Sequence, residues 1–79
     1  MTSITFTYLD GGTERTSCWR LPELHELACG HGFGEIAAII AGAVLGDELT
    51  RLQLDLLGWL MEELAVFPGG GVVYAEITG

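Results

Sequence analysis

Apolar side chains change their spacing twice along the chain, and these changes restrict the fold more than any motif does. In residues 4–9, Ile4, Phe6 and Tyr8 alternate with their neighbours, and alternation returns in residues 72–78, "VVYAEIT". A period of two indicates strands, whereas the leucine-rich and isoleucine-rich middle of the chain has helical spacing. Strands at both ends enclosing helices predict one sheet that joins the two ends of the sequence.

The segment "DGGT", Asp10–Thr13, predicts a hairpin after the first strand. Its adjacent glycines permit the positive φ angles that tight hairpin turns require. The return strand then places Ser17, Trp19 and Leu21 on one face and Cys18 on the other. We expect three strands, at about residues 3–9, 14–21 and 72–78.

Three helices are expected between the second and third strands, at about residues 22–29, 35–45 and 48–64. Pro22 suits a first helical position, and Gly30 suits a left-handed C-terminal cap. Gly46 can end the second helix, and Asp47 can cap the third. The order β-β-α-α-α-β predicts a single α+β domain over residues 1–79. It is a two-layer sandwich with a three-stranded, mainly antiparallel sheet and helices on one face.

The charge balance limits the partners of such a domain. Lysine and arginine total 3 against 11 acidic residues, for a formal net charge of −8, and lysine is absent. Such a surface repels nucleic acid, since phosphate binding needs cations, and it favours a basic protein partner. The longest apolar run, Ile36 to Leu45 with Gly42 counted, is shorter than the ~20 residues that span a bilayer. We therefore expect a cytoplasmic protein that does not bind membranes.

The segment "CGHGFGE", residues 29–35, suggests a metal site, because zinc accepts two cysteines and two histidines. The candidate ligands are Cys18, His25, Cys29 and His31. Their spacing differs from that of known zinc fingers, and the alternative is two ordinary cysteines and two surface histidines. A disulfide between Cys18 and Cys29 is geometrically possible, but the reducing conditions of the cytoplasm would disfavour it. We predict no cofactor.

Catalytic interpretations of the same segment are weak. Cys29 with His25 or His31, oriented by Glu26 or Glu35, has the residue types of a thiol triad, but acidic surroundings disfavour the thiolate. The alternating glycines resemble a phosphate loop, yet no cation lies between Arg20 and Arg51. We therefore predict a protein without enzymatic activity.

The third helix carries the strongest candidate for a binding surface. At about 100° per residue its leucines cover slightly more than half of the helix, and the charged residues gather in the remaining arc. Trp59 falls within this acidic arc, either as an exposed interface anchor or folded over a sheet edge or a loop. The predicted partner-binding residues, including two glutamates of the first helix, are Glu48, Asp55, Trp59, Glu62, Glu63, Glu23 and Glu26.

The second helix is apolar all round and has small residues at four-residue spacing. Ala38, Gly42 and Gly46 lie on one side, which would let another backbone approach closely. That backbone could belong to the third helix or to a second copy of the protein. The second case predicts a structural or regulatory homodimer, of the antitoxin or assembly-factor kind, whose acidity serves only solubility.

The chain combines a short length, a single α+β domain, an acidic balance and an acidic stripe from Glu48 through Arg51 and Asp55 to Glu62 and Glu63. In these features it resembles the small phage-encoded anti-CRISPR and anti-defence proteins. The resemblance is one of type and includes no shared motif, so it transfers no residue roles. It implies a phage or mobile-element origin and a bacterial CRISPR effector complex as the target. Its carboxylates would take the place of nucleic-acid phosphates on a basic surface.

Overall fold

Residues 2–69 and 71–78 are described by a computed structural model, which has the predicted element order β-β-α-α-α-β. Residues 1, 70 and 79, which the predicted domain includes, lie outside the described residues. The strands are Ser3–Asp10 (β1), Thr13–Arg20 (β2) and Gly71–Thr78 (β3), and the helices are Leu21–Gly30 (α1), Gly34–Val44 (α2) and Arg51–Glu63 (α3).

The sheet has the order β2-β1-β3, and both pairings are antiparallel. The predicted hairpin joins β1 to β2, with φ angles of 60° at Gly11 and 85° at Gly12. Positive φ at both central residues matches the twist of the flanking strands. The pairing of β1 with β3 shifts register between Thr7 and Tyr8, so that Val73 bulges out of the ladder.

The core lies between one face of the sheet and the three helices. Ile4 and Phe6 of β1 are fully buried at its centre. The other buried apolar residues are Leu21, Leu24, Ala28, Ile36, Ala37, Ile40, Leu54, Leu57, Leu60, Met61, Phe67 and Ala75. α1 packs mainly on α2 and contacts β2 only lightly, and α3 packs on β3. The α+β class and the helices on one face are therefore as predicted.

All three helices end in the same capping motif, which corrects one predicted cap. α1 includes Gly30, and Gly32 (φ 80°) adopts the left-handed conformation instead. The N–H of Phe33 donates to the carbonyl oxygen of Ala28, 2.9 Å away. Phe33 is the second residue after the C-cap, His31, and a bond from this position identifies a Schellman motif. In that motif the residue between them, Gly32, has the left-handed conformation.

The third helix begins later than predicted, at Arg51, because Thr50 is its N-cap. The Thr50 hydroxyl accepts a hydrogen bond from the Gln53 N–H, and the Gln53 side chain accepts one from the Thr50 N–H. This reciprocal pair satisfies N–H groups that the helix itself leaves unbonded. Asp47 instead donates its N–H to the carbonyl oxygen of Gly42, so Glu48 lies in a loop and not on α3.

The small side of α2 is occupied partly by the chain's own loop. A Cβ atom at Gly42 would lie 2.8 Å from Oδ2 of Asp47, so the glycine makes room for that carboxylate. Ala38 is exposed. None of the helices in residues 2–69 and 71–78 has the length and apolar character needed to cross a membrane.

Candidate functional site

A shallow groove of about 200 Å³ lies between α3 and the bulged part of β3. We call it the α3–β3 groove. Its lining residues are Asp55, Gly58, Trp59 and Glu62 from α3 and Val72, Val73, Tyr74 and Ala75 from β3. Gly58 allows the two elements to lie close together, because a Cβ atom there would be 3.2 Å from Cγ1 of Val72.

Trp59 is 44% exposed and also packs on the loop between α1 and α2, so both interpretations of this side chain apply in part. Its ring also meets Phe33 edge to face, with centroids 5.9 Å apart and an interplanar angle of 81°. Edge-to-face aromatic contacts are favourable, so Phe33 holds one side of the indole in place. The opposite wall of the groove presents Val73 and Tyr74, which are 57% and 49% exposed. The groove is thus an exposed aromatic surface on an acidic side of the protein.

Arg51, beside the α3–β3 groove, contacts Ala75, Asp55 and Tyr74. Its Nη2 donates to the carbonyl oxygen of Ala75, 2.6 Å away, and lies 2.9 Å from Oδ1 of Asp55. Its guanidinium carbon lies 4.5 Å from the centroid of the Tyr74 ring, close enough for a cation–π contact. Asp55, predicted to bind a partner, is therefore already paired with a cation.

Glu62 also bonds within the chain. Its Oε1 accepts a hydrogen bond from the Val72 N–H, 2.8 Å away, at the outer edge of the sheet. Glu62 and Arg51 therefore bind outward-facing backbone groups of β3 near opposite ends of α3. These contacts hold the helix against the strand, so two of the predicted binding residues, Asp55 and Glu62, also have a structural role.

The remaining predicted residues lie in three separate places. Glu63 is exposed at the end of α3, and Glu48 is exposed in the loop before it. Glu23 and Glu26 are on α1, which follows β2 and contacts it lightly, at the opposite edge of the sheet from α3. Glu23 also accepts a hydrogen bond from the Arg20 N–H, 3.2 Å away, and so helps to begin α1. The structure does not gather all seven predicted residues into one surface.

The candidate metal ligands suggested by the sequence are likewise separated. Cys29 Sγ lies 3.8 and 3.9 Å from the ring nitrogens of His25, one helical turn away, and both cysteines are free. Cys18 is opposite Thr5 on the face of the sheet that carries no helix, and His31 is exposed beyond α1. Within residues 2–69 and 71–78, no three His, Cys, Asp or Glu side chains are grouped to hold one ion.

Sequence reasoning missed the β3 wall of the groove. The consecutive valines of "VVY" break strict alternation where the bulge occurs, and this was the available signal for Val73 and Tyr74. Gly58 was a second signal, since a glycine within a helix often marks a close approach of another element.

Comparison with protein-family models, curated protein sequences and solved structures finds no match to this chain.

Proposed function

We propose that this chain is a non-enzymatic binding protein that docks the α3–β3 groove onto a basic, nucleic-acid-binding surface of another protein. The observation that supports this most is the half-exposed Trp59, braced by Phe33 and set among carboxylates. A large aromatic side chain with restricted motion loses little entropy on binding, and tryptophan is enriched among the residues that dominate interface energies. Trp59 is the proposed apolar anchor.

The charge distribution supports a basic partner. Eleven acidic residues face only three cations, and two of these cations pair with carboxylates of the chain itself, Arg15 with Asp10 and Arg51 with Asp55. The electrostatic potential from the other carboxylates is strongly negative and would steer the protein toward positively charged surfaces. Surfaces that bind nucleic acid are rich in lysine and arginine, and carboxylates can occupy the positions of phosphates there.

The resemblance to anti-CRISPR proteins suggests a bacterial CRISPR effector complex as one such partner, met inside the bacterial cell. Occupation of the complex's nucleic-acid channel would then block its activity without any chemistry by the inhibitor. In this proposal the exposed carboxylates Glu48 and Glu63 act mainly on the rate of association, and Trp59 acts mainly on the lifetime of the complex.

Affinity capture from a bacterial host, followed by a binding measurement with the purified partner, tests the proposal. Trp59→Ala should weaken binding by about 30-fold or more, the loss of about 2 kcal/mol that defines a hot spot. Glu63→Lys should slow association, whereas Glu76→Lys on the helix-free sheet face makes the same charge change as a control. The captured partner should also lose its bound nucleic acid when the protein is added.

The proposal fails if the partner keeps its nucleic acid, or if Trp59→Ala binds as tightly as the original protein. Equal effects of Glu63→Lys and Glu76→Lys would show that net charge, and not the α3–β3 groove, governs association. Circular dichroism of each variant verifies that the fold is retained.

A further inference from the structure

The two edge strands of the sheet differ in whether their outward-facing backbone groups have hydrogen-bond partners. At the β3 edge, Glu62 accepts the Val72 N–H and Arg51 donates to the Ala75 carbonyl oxygen. β2 forms the other edge over its whole length, from Thr13 to Arg20. Its side chains are largely exposed, and α1 contacts it only lightly. An uncovered edge strand of this length is a ready template for pairing with another strand.

The alternation of an antiparallel ladder identifies the groups available on β2. The turn pairs Asp10 with Thr13, so Thr13 and every second residue after it bond to β1. The intervening residues Glu14, Thr16 and Cys18 therefore direct their backbone groups outward. Arg20 is also outward-facing, but its N–H is already bound by Glu23.

β2 itself has a charge balance opposite to that of the chain as a whole. It contains two of the three cations, Arg15 and Arg20, against one carboxylate, Glu14, although Arg15 already pairs with Asp10. If two β2 strands pair antiparallel with Ser17 opposite Ser17 of the second copy, Glu14 lies opposite Arg20 of the second copy, and the symmetric pair forms as well. Directly opposed charges of unlike sign stabilise a strand pair.

We propose that the β2 edge is a homodimer interface, in which two copies pair antiparallel about Ser17. Thr16 of each copy exchanges N–H···O bonds with Cys18 of the second copy, and Glu14 forms an ion pair with Arg20 of the second copy. On the helix-side face, Arg15 lies opposite Trp19 of the second copy. The result is a continuous sheet with strand order β3-β1-β2-β2-β1-β3.

This interface is separate from the proposed function, because β2 and β3 are opposite edges of the sheet. Both copies keep their α3–β3 grooves exposed at the outer ends of the dimer. The dimer can therefore form whether or not the groove binds a basic partner. It also does not use the small residues of α2, the face that the sequence suggested for dimerisation.

Sedimentation velocity over a concentration series tests the pairing through charge reversal and charge exchange. The unaltered protein should reach twice the monomer mass of 8.5 kDa. Glu14→Arg should weaken the dimer by about tenfold or more, since it places like charges opposite each other twice. The combined Glu14→Arg and Arg20→Glu variant exchanges the two charges and should restore the dimer. A monomer at all concentrations, or no restoration by the exchange, overturns the proposal.

Disulfide trapping tests the register. Directly opposed residues of a hydrogen-bonded antiparallel pair have Cα atoms ~5.5 Å apart, within the range that a disulfide spans. Thr16→Cys in a Cys29→Ser background should therefore yield a covalent dimer through Cys18 under mild oxidation. Adding Cys18→Ser should abolish the covalent dimer. If the dimer persists without Cys18, position 16 is opposite itself, and the proposed register with its ion pairs is wrong.

Discussion

Replacement of Ala65 by glycine is expected to stabilise the protein, because the end of α3 imposes a glycine conformation on an alanine. Ala65 has a φ of 49°, and within residues 2–69 and 71–78 no other non-glycine residue has a positive φ. Its N–H donates to the Glu62 carbonyl oxygen, and the Val66 N–H donates to that of Met61, 3.1 Å away. These bonds complete a Schellman motif, whose left-handed position is usually glycine.

The magnitude follows from two opposing terms. A left-handed conformation costs an L-residue with a Cβ atom about 1–2 kcal/mol, and glycine avoids this cost. Glycine also gives the unfolded chain more freedom, which offsets about 0.4–1 kcal/mol. The net gain in unfolding free energy for Ala65→Gly is about 0.5–1 kcal/mol. For a domain of this size that corresponds to a rise in Tm of about 2–8 °C.

A matched control occurs in the same molecule. Gly46 holds the equivalent position after α2, with a φ of 109°, and an added Cβ atom there would meet nothing within 4 Å. Gly46→Ala should therefore lower the unfolding free energy by about 0.5–1 kcal/mol, because the backbone strain exceeds the lost freedom of the unfolded chain. Thermal and urea unfolding at one protein concentration measure both variants. The reasoning is refuted if Ala65→Gly lowers Tm or if Gly46→Ala leaves it unchanged.

Two further substitutions test contacts that join the sheet to its surroundings, each by urea unfolding. Gly69→Ala should cost about 2–3 kcal/mol, because Gly69 has a φ of 79° and a Cβ atom would lie 2.5 Å from the Leu9 carbonyl oxygen. A neutral result would mean that the backbones of Gly69 and Leu9 are not in close contact. Arg51→Met should cost about 1–3 kcal/mol through the lost bonds to Asp55 and Ala75. Unchanged stability would show that Arg51 does not hold α3 to β3.

Local chemistry made the strands and the order of elements along the chain predictable. Alternation identifies β1 and β3 from a few residues, and the paired glycines at 11 and 12 specify the hairpin without reference to the rest of the chain. The start of α3 was harder, because Asp47 and Thr50 are both suitable caps and only Thr50 has a glutamine three residues later. Attention to that reciprocal signal would have placed the helix start correctly.

The candidate site was predictable only in part, for a physical reason. Helical periodicity places Trp59 with Asp55 and Glu62 on one arc, and this holds for an isolated helix. It cannot show that α3 lies against the outer edge of β3, since that depends on Gly58 and on the bulge at Val73. The sequence therefore predicted the acidic wall of the groove and missed the wall formed by Val73 and Tyr74.

The contacts at the α3–β3 groove determine which carboxylates can be substituted to test the proposed binding. Asp55 and Glu62 each have a partner within the chain, Arg51 and the Val72 N–H. Their reversal to lysine would break contacts that hold α3 to β3, so lost binding in such variants would not separate unfolding from lost recognition. The Glu63 side chain is exposed and takes part in none of the side-chain hydrogen bonds or ion pairs found among residues 2–69 and 71–78. Glu63 and Trp59 are therefore positions at which the proposed binding can be tested with less disturbance of the α3–β3 contact than at Asp55 or Glu62.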